Sequence, residues 1–215
     1  MKIPILTENE NWIAVDKPTG LSVHNDEDPL NLIRALEFQF PKLFPVHRLD
    51  KETSGVQLLA LNAKSAQNLA EQFQDRKIQK FYTGVAAGEL PERGVWKEPL
   101  SDKAEGRMNP AGLERDRRDC ETHFERIQKS SYFSWLNFEI MTGRQHQIRK
   151  HCALSGHALI GDPRYGNPKY NQKMAQLYGF DRMALHCSRL ILQDGTEVSS
   201  PTPAQFDLLF PEKKI

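Results

Sequence analysis

The stretch Val46–Leu61 reads V-H-R-L-D-K-E-T-S-G-V-Q-L-L-A-L and limits what the chain can fold into more than any other. Its second part, Val56 to Leu61, is apolar and rich in strand-forming residues, which predicts a buried β-strand. A dense polar knot precedes it. His47, Arg48, Asp50, Lys51, Glu52, Thr53 and Ser54 cannot all be buried without partners, and Gly55 marks a tight turn or a close backbone approach. The knot therefore stands at a strand end, as a well-satisfied turn or as a site. From these residues alone, a solvated connection is the commoner outcome.

The rest of the chain gives such a strand its neighbours. Trp12 to Val15 predicts a strand running into the Asp16-Lys17-Pro18-Thr19-Gly20-Leu21 turn. Leu32, Ile33, Leu36 and Phe40 predict a helix over Pro29 to Phe40, and Ala66, Leu69, Ala70 and Phe73 a second over Lys64 to Arg76. Gln79 to Ala87 alternates as a strand, with Lys80 and Tyr82 on one face. Pro91 to Asp119 is rich in Gly, Pro and balanced charge without apolar period, and reads as a mobile or variable insertion, more a solvated loop than a surface that wraps a polyanion. Strands are expected near Glu121–Ile127 and Tyr132–Ile140, the second alternating through Phe133, Trp135, Phe138 and Ile140 with an interruption near Asn137. Gly143 ends that region and a helix begins, with Arg144 near its entry and Ile148 and Cys152 on one face. Met183 to Gln193 reads as a strand and Pro203 to Leu209 as a short helix.

Composition narrows the class. With 215 residues, 39% hydrophobic and 27% charged, the chain suits one globular domain over 1–215. No apolar run approaches the roughly 20 residues that cross a bilayer, and the N-terminus lacks a signal-peptide core, so a cytoplasmic protein away from membranes is expected. Three cysteines, Cys120, Cys152 and Cys187, show no C-x-x-C spacing and suggest neither a disulfide framework nor a thiolate zinc site. His146, His151 and His157 form no recognisable metal spacing either, and no metal is expected. A net charge of +1 rules out a uniformly basic nucleic-acid binder. Any polyanion contact must be local, and Arg144, Arg149, Lys150 and Arg164, with Asp162 the single acid among them, form either a basic face or a solvated helix face.

His47 to Gly55 resembles the H-R-L-D-x-x-T-S-G signature of RNA pseudouridine synthases of the RluA type. The likeness continues in Asp16–Leu21, similar to a D-K-P-x-G-L motif in which Lys17 is structural, and in the K-x-Y step of Lys80 and Tyr82, where Gly84 departs from an expected alanine. Thr142 to His151 is similar to T-G-R-x-H-Q-I-R-x-H, followed by the G-D-x-x-Y-G of Gly161 to Gly166 and by Leu185-His186-Cys187 and Ser200-Pro201. The resemblance spans Trp12 to about Phe206. It implies a mixed α/β (α+β) fold, mainly an antiparallel sheet with flanking helices and a central active-site cleft, in a single catalytic domain with no separate N-terminal RNA-binding domain. It implies a catalytic Asp50, with Arg144 beside it and Tyr82 stacked on the target base. Ile148 would supply an apolar wall, Arg48 would fill the space the base vacates, and His47, Lys80 and Arg149 would complete the substrate contacts.

Chemistry explains that choice of residues. Pseudouridine formation cleaves the bond from ribose to N1 of uracil, turns the base and rejoins it through C5, so no atoms are gained or lost and no cofactor is expected. One carboxylate suffices, as nucleophile at the sugar or as base towards a ribose proton, and the residues leave both routes open. Hydrolytic glycosidases commonly use two carboxyls, one to help deliver water, whereas here the detached uracil must be kept dry. A desolvated carboxylate tends to protonate, and an arginine gripping it by two hydrogen bonds opposes that. The base must leave its stack at a cost of a few kcal/mol, least in unpaired RNA, so a stem-loop of ribosomal or transfer RNA is the expected partner of a monomeric enzyme. Two rivals stand beside this. Asp50, Glu52 and Thr53 with Gly161-Asp162 are faintly similar to aspartate-nucleophile phosphotransferases, though the spacing does not fit and magnesium would be required. The other is an RNA-binding module without turnover, which an intact Asp50, Tyr82 and Arg144 speaks against.

Overall fold

The apolar end of the 46–61 stretch is a strand, Ser54–Ala60, buried at every residue in a computed structural model that describes residues 2–24 and 27–211. In chain order the elements begin with β1 (Ile5–Glu8), β2 (Trp12–Lys17), α1 (Leu32–Leu36), β3 (Phe44–Pro45), this strand as β4 (Ser54–Ala60) and α2 (Ala63–Gln74). They continue with β5 (Gln79–Ala87), β6 (Arg93–Trp96), β7 (Leu100–Ser101), β8 (Arg117–Arg118), β9 (Thr122–Lys129) and β10 (Phe133–Ile140). Then come α3 (Gln147–Leu154), α4 (Pro168–Tyr178), β11 (Leu185–Ile191), β12 (Glu197–Ser199) and a 3₁₀ turn, Ala204–Leu209. The fold is mixed α/β with mainly antiparallel strands, and the chain divides into two compact units. Among the described residues no helix is long and apolar enough to cross a membrane.

The first unit holds residues 1–80 and 187–201. β2 pairs antiparallel with β1 and with β4, which also takes β3 on its edge. Ile13, Val15 and Leu59 meet Leu21, Val23, Leu32 and Leu36 in one apolar cluster, while α2 packs against β4. This double cover is why β4 reads as a continuous apolar run rather than an alternation. Gly55 has φ +110°, and a Cβ there would lie 2.1 Å from the carbonyl oxygen of Cys187, so only glycine admits that approach. The first helix is shorter than its apolar period suggests. Asn31 caps it by accepting from the Arg34 amide, and the chain leaves at Glu37.

The second unit holds residues 81–186 and 202–215. Its sheet runs β5-β10-β9-β6, antiparallel throughout. The interruption expected near Asn137 is a change of side. Phe133 and Trp135 join Phe180, Phe206 and Leu209 in one cluster, whereas Leu136, Phe138 and Ile140 join Ile148 and Cys152 of α3 in another. One strand thus serves two cores, and the apolar alternation shifts phase between Trp135 and Leu136, where pairing with β9 also slips.

The segment from Pro91 to Asp119 corrects the loop expectation. β6 extends the sheet through β9, β7 pairs with β8, and Leu100, Ala111 and Cys120 form a small core. The rest is laced by polar contacts that no apolar period announces: the Arg117 guanidinium donates twice to the Gly112 carbonyl, at 2.8 and 3.0 Å, and Lys103 pairs with Asp116 at 2.8 Å.

Candidate active site

Two backbone systems hold the loop that carries Asp50. On one side the buried Gln57 side chain on β4 accepts from the Leu49 amide at 3.2 Å and donates to the His47 carbonyl at 2.8 Å. On the other, the Asp16–Leu21 turn clasps the residues after Asp50. The Gly20 amide donates to the Lys51 carbonyl at 2.8 Å, and the Thr19 hydroxyl to the Glu52 carbonyl at 2.7 Å. The fully buried Lys17 ammonium donates to the Leu21, Pro18 and Lys51 carbonyls, at 2.6, 3.0 and 3.3 Å. A buried ammonium needs such acceptors, so Lys17 serves the loop's shape. Thr53 closes a tight turn on the Asp50 carbonyl at 3.1 Å, leaving the Asp50 side chain partly buried and Arg48 exposed.

His47, expected among the substrate contacts, is engaged within the protein. Its Nε2 accepts from the Leu58 amide at 2.9 Å, and its ring stacks on Phe73 of α2 at 4.5 Å. Burial, and then the positive charge of Lys80, push its pKa down to about 3 from 6.5. Protonating Nε2 would break the bond from Leu58. The folded protein therefore stays neutral at His47 where the unfolded chain takes up a proton, so this contribution to stability is full above about pH 6.5 and falls as pH drops towards 3. Urea melts from pH 7 to 5 are expected to show that decline, and His47→Phe to flatten it, at a fixed cost of about 1–3 kcal/mol for the orphaned Leu58 amide. Equal slopes in both proteins would overturn the assignment. Lys80 is buried too, and its pKa is lowered by burial and then by Arg76.

In the second unit the organising side chain is Gln147, at the start of α3. Its Oε1 accepts from the Thr142 hydroxyl at 2.6 Å and from the Arg144 amide at 3.1 Å. Its Nε2 donates to the Glu121 carbonyl and the Thr122 hydroxyl, both at 2.9 Å. Residues 142–146 thus form a braced turn, and the helix begins at Gln147, with Arg144 near its entry. His146, before α3, adopts φ +58° and meets the Tyr165 hydroxyl at 2.9 Å, a rare backbone state held by its neighbours. Arg144 is 27% exposed, with Nη1 donating to Asp102 at 2.9 Å. Its Nε is buried and has no hydrogen-bond partner among the described residues. Tyr82, partly buried, packs against the cluster containing Ile148, which is 4% exposed.

The basic face is corrected at two of its four members. Arg149 is 1% exposed and grips Asp162 with Nε and Nη2 at 2.8 and 2.9 Å, so it does not present itself to RNA. Burial alone would raise the Asp162 pKa, but the hydrogen bonds and charge of Arg149, with the Tyr165 and Arg164 amides, outweigh it and hold the carboxyl below its usual range. Lys150, fully buried, donates to the Ser101 and Lys103 carbonyls at 2.7 and 2.8 Å. In a sequence these two are simply charges. Their partners lie 13 and 47 to 49 positions away, out of reach of any local pattern.

Residues 11–154, a span containing Asp50, Tyr82 and Arg144, match the family model described as RNA pseudouridylate synthase. Among curated proteins, the chain is 33% identical over 224 residues to ribosomal large subunit pseudouridine synthase D of Xanthomonas campestris pv. campestris, covering 95% of this chain and 67% of that one. It is 29% identical over 206 residues to tRNA pseudouridine synthase C of Haemophilus ducreyi, covering 88% of this chain and 85% of that protein. Two solved human structures share the fold at 22% identity: RNA pseudouridylate synthase domain containing 4, with TM-score 0.81 over 95% of this chain and 90% of that one, and domain containing 1, with TM-score 0.79 over 94% and 84%.

Proposed function

The chain belongs to the RNA pseudouridylate synthase family, of the RluA type, and on that premise we propose that it isomerises particular uridines to pseudouridine in a stem-loop of ribosomal or transfer RNA. The observation that carries the reading is a family match over residues 11–154, a span that contains Asp50, Tyr82 and Arg144. A single catalytic domain over 1–215, acting as a monomer in the cytoplasm, completes the proposal.

In the reaction the N1–C1′ bond breaks, the uracil turns, and C5 bonds to C1′ while the C5 proton leaves and N1 regains one. Asp50 is the proposed catalytic carboxylate, as nucleophile at C1′ or as base towards the ribose. Its loop suits either role, because the surrounding main chain is tied by Gln57 and by the Asp16–Leu21 turn, and a rigid carboxylate loses little freedom on reaching the transition state. Tyr82 is proposed to stack on the uracil, with Ile148 backing the apolar cluster on which Tyr82 rests. Arg48, exposed beside Asp50, is proposed to fill the vacated space in the RNA. Lys80 is proposed to contact the substrate as well. Since the isomerisation has no net gain or loss of atoms, the C5 proton given up being matched by the one N1 takes, neither a metal nor a cofactor enters the proposal.

Arg144 is proposed as the cation that keeps the catalytic carboxylate ionised. Its side chain has an unused donor in Nε, which supports this. Arg144→Ala is expected to lower kcat about 10²- to 10³-fold, as loss of a charge-stabilising donor does elsewhere, with the protein still folded. Tritium release from 5-tritiated uridine in bulk ribosomal and transfer RNA, beside a circular dichroism melt, checks it. Comparing pseudouridines in total cellular RNA with and without the gene tests the proposed function itself. Identical maps, together with no tritium release by the purified protein, would sink it.

A further inference from the structure

The carboxylate that Arg144 meets lies outside every motif of the sequence. Asp102 directly follows β7 and accepts from Arg144 Nη1 at 2.9 Å. The main chain on both sides of it is anchored by one buried group, since the Lys150 ammonium takes the carbonyls of Ser101 and Lys103. Side chains add to this: the Ser101 hydroxyl donates to Glu105 at 2.7 Å, and Lys103 pairs with Asp116. Lys150 stands on α3, the helix that Arg144's turn leads into. Turn and helix therefore reach one three-residue stretch, the guanidinium at Asp102 and the ammonium at Ser101 and Lys103 on either side.

A guanidinium presents donors along more than one edge, and holding Nη1 fixes the direction of the edge that carries Nε. That Nε is buried without a partner among the described residues. A buried donor lacking an acceptor is unfavourable, so this arrangement is poised to receive one.

We propose that Asp102 is a positioning residue: it holds one edge of Arg144 so that the Nε edge is ready for an anionic oxygen during catalysis. The proposal rests on Arg144 belonging to the catalytic set. The Arg144–Asp102 pair is 27% and 52% exposed, and ion pairs so open to solvent add little to stability. The effect is geometric. Without Asp102 the arginine samples other rotamers, and the time it spends aligned falls.

Asp102→Ala is expected to lower kcat about tenfold in the full chain, with KM within twofold and an unchanged melting midpoint, the scale of a small misplacement near the chemistry. Asp102→Asn, whose amide oxygen still accepts, is expected to recover part of the loss. In an Arg144→Ala background, removing Asp102 is expected to change nothing further, because the two act as one unit. The assay is tritium release from 5-tritiated uridine in bulk ribosomal and transfer RNA. Unchanged kcat in Asp102→Ala, a fall matched by a lower melting midpoint, or an equal fall in the Arg144→Ala background would each overturn the proposal. Full activity of Arg144→Ala alone is a separate failure, removing the premise whatever Asp102 does.

Discussion

Asp50→Asn is expected to abolish isomerisation, lowering single-turnover rates by more than ~10³-fold, a scale typical of removing an essential catalytic side chain. Affinity for RNA should stay within a few fold. Asparagine keeps the size of the carboxylate, and the main-chain ties of the loop at residues 47, 49, 51 and 52 are untouched by the change. What it lacks is the negative charge, needed equally by a nucleophile at C1′ and by a base towards the ribose. The two measurements are tritium release and a gel shift on the same RNA. Normal turnover in this variant would remove Asp50 from the mechanism, whereas lost binding with lost turnover would make it a recognition residue.

Arg149→Leu is expected to cost about 3–5 kcal/mol of folding stability, because it strands a buried carboxylate. Asp162 is wholly buried and also receives the Arg164 and Tyr165 amides at 2.8 and 3.0 Å, so it cannot turn to water when the guanidinium is gone. Arg149→Lys should rescue poorly, since one ammonium cannot reproduce two parallel donors. Denaturant titration decides this. A variant of normal stability with weakened RNA binding would restore Arg149 as a substrate contact. Acid adds a second check. The Asp162 pKa is lowered in the folded protein, so the pair stabilises above the ordinary value of 3.8 and its contribution fades as pH falls below that, at more acid pH than the onset of the His47 decline.

Strands and motifs were the legible part of this chain. Gln79–Ala87 is a strand over the span expected of it, and β4 follows from an apolar run that only a doubly covered strand could bury. Less legible was whatever depends on a partner far along the chain. Arg149 and Lys150 read as surface charge because nothing local marks Asp162 or the Ser101 and Lys103 carbonyls as their partners. For the same reason the 91–119 segment read as a loop: beside its short strands and small core, much of its order comes from guanidinium and ammonium contacts with carbonyl oxygens. α4 carries an Asn167 cap accepting from the Lys169 and Tyr170 amides, a proline at its start and Gly179 at its end with φ +66°, punctuation visible in the residues themselves.

In the stretch H-R-L-D-K-E-T-S-G, the two places where the signature tolerates any residue are Lys51 and Glu52. Both are gripped by their carbonyl oxygens, and the Lys51 side chain is exposed. A fluorophore or spin label at position 51, one residue from the proposed reactive carboxylate, gives up only the exposed pair of Lys51 with Asp28 and keeps the main-chain grips, so RNA docking could be watched from there.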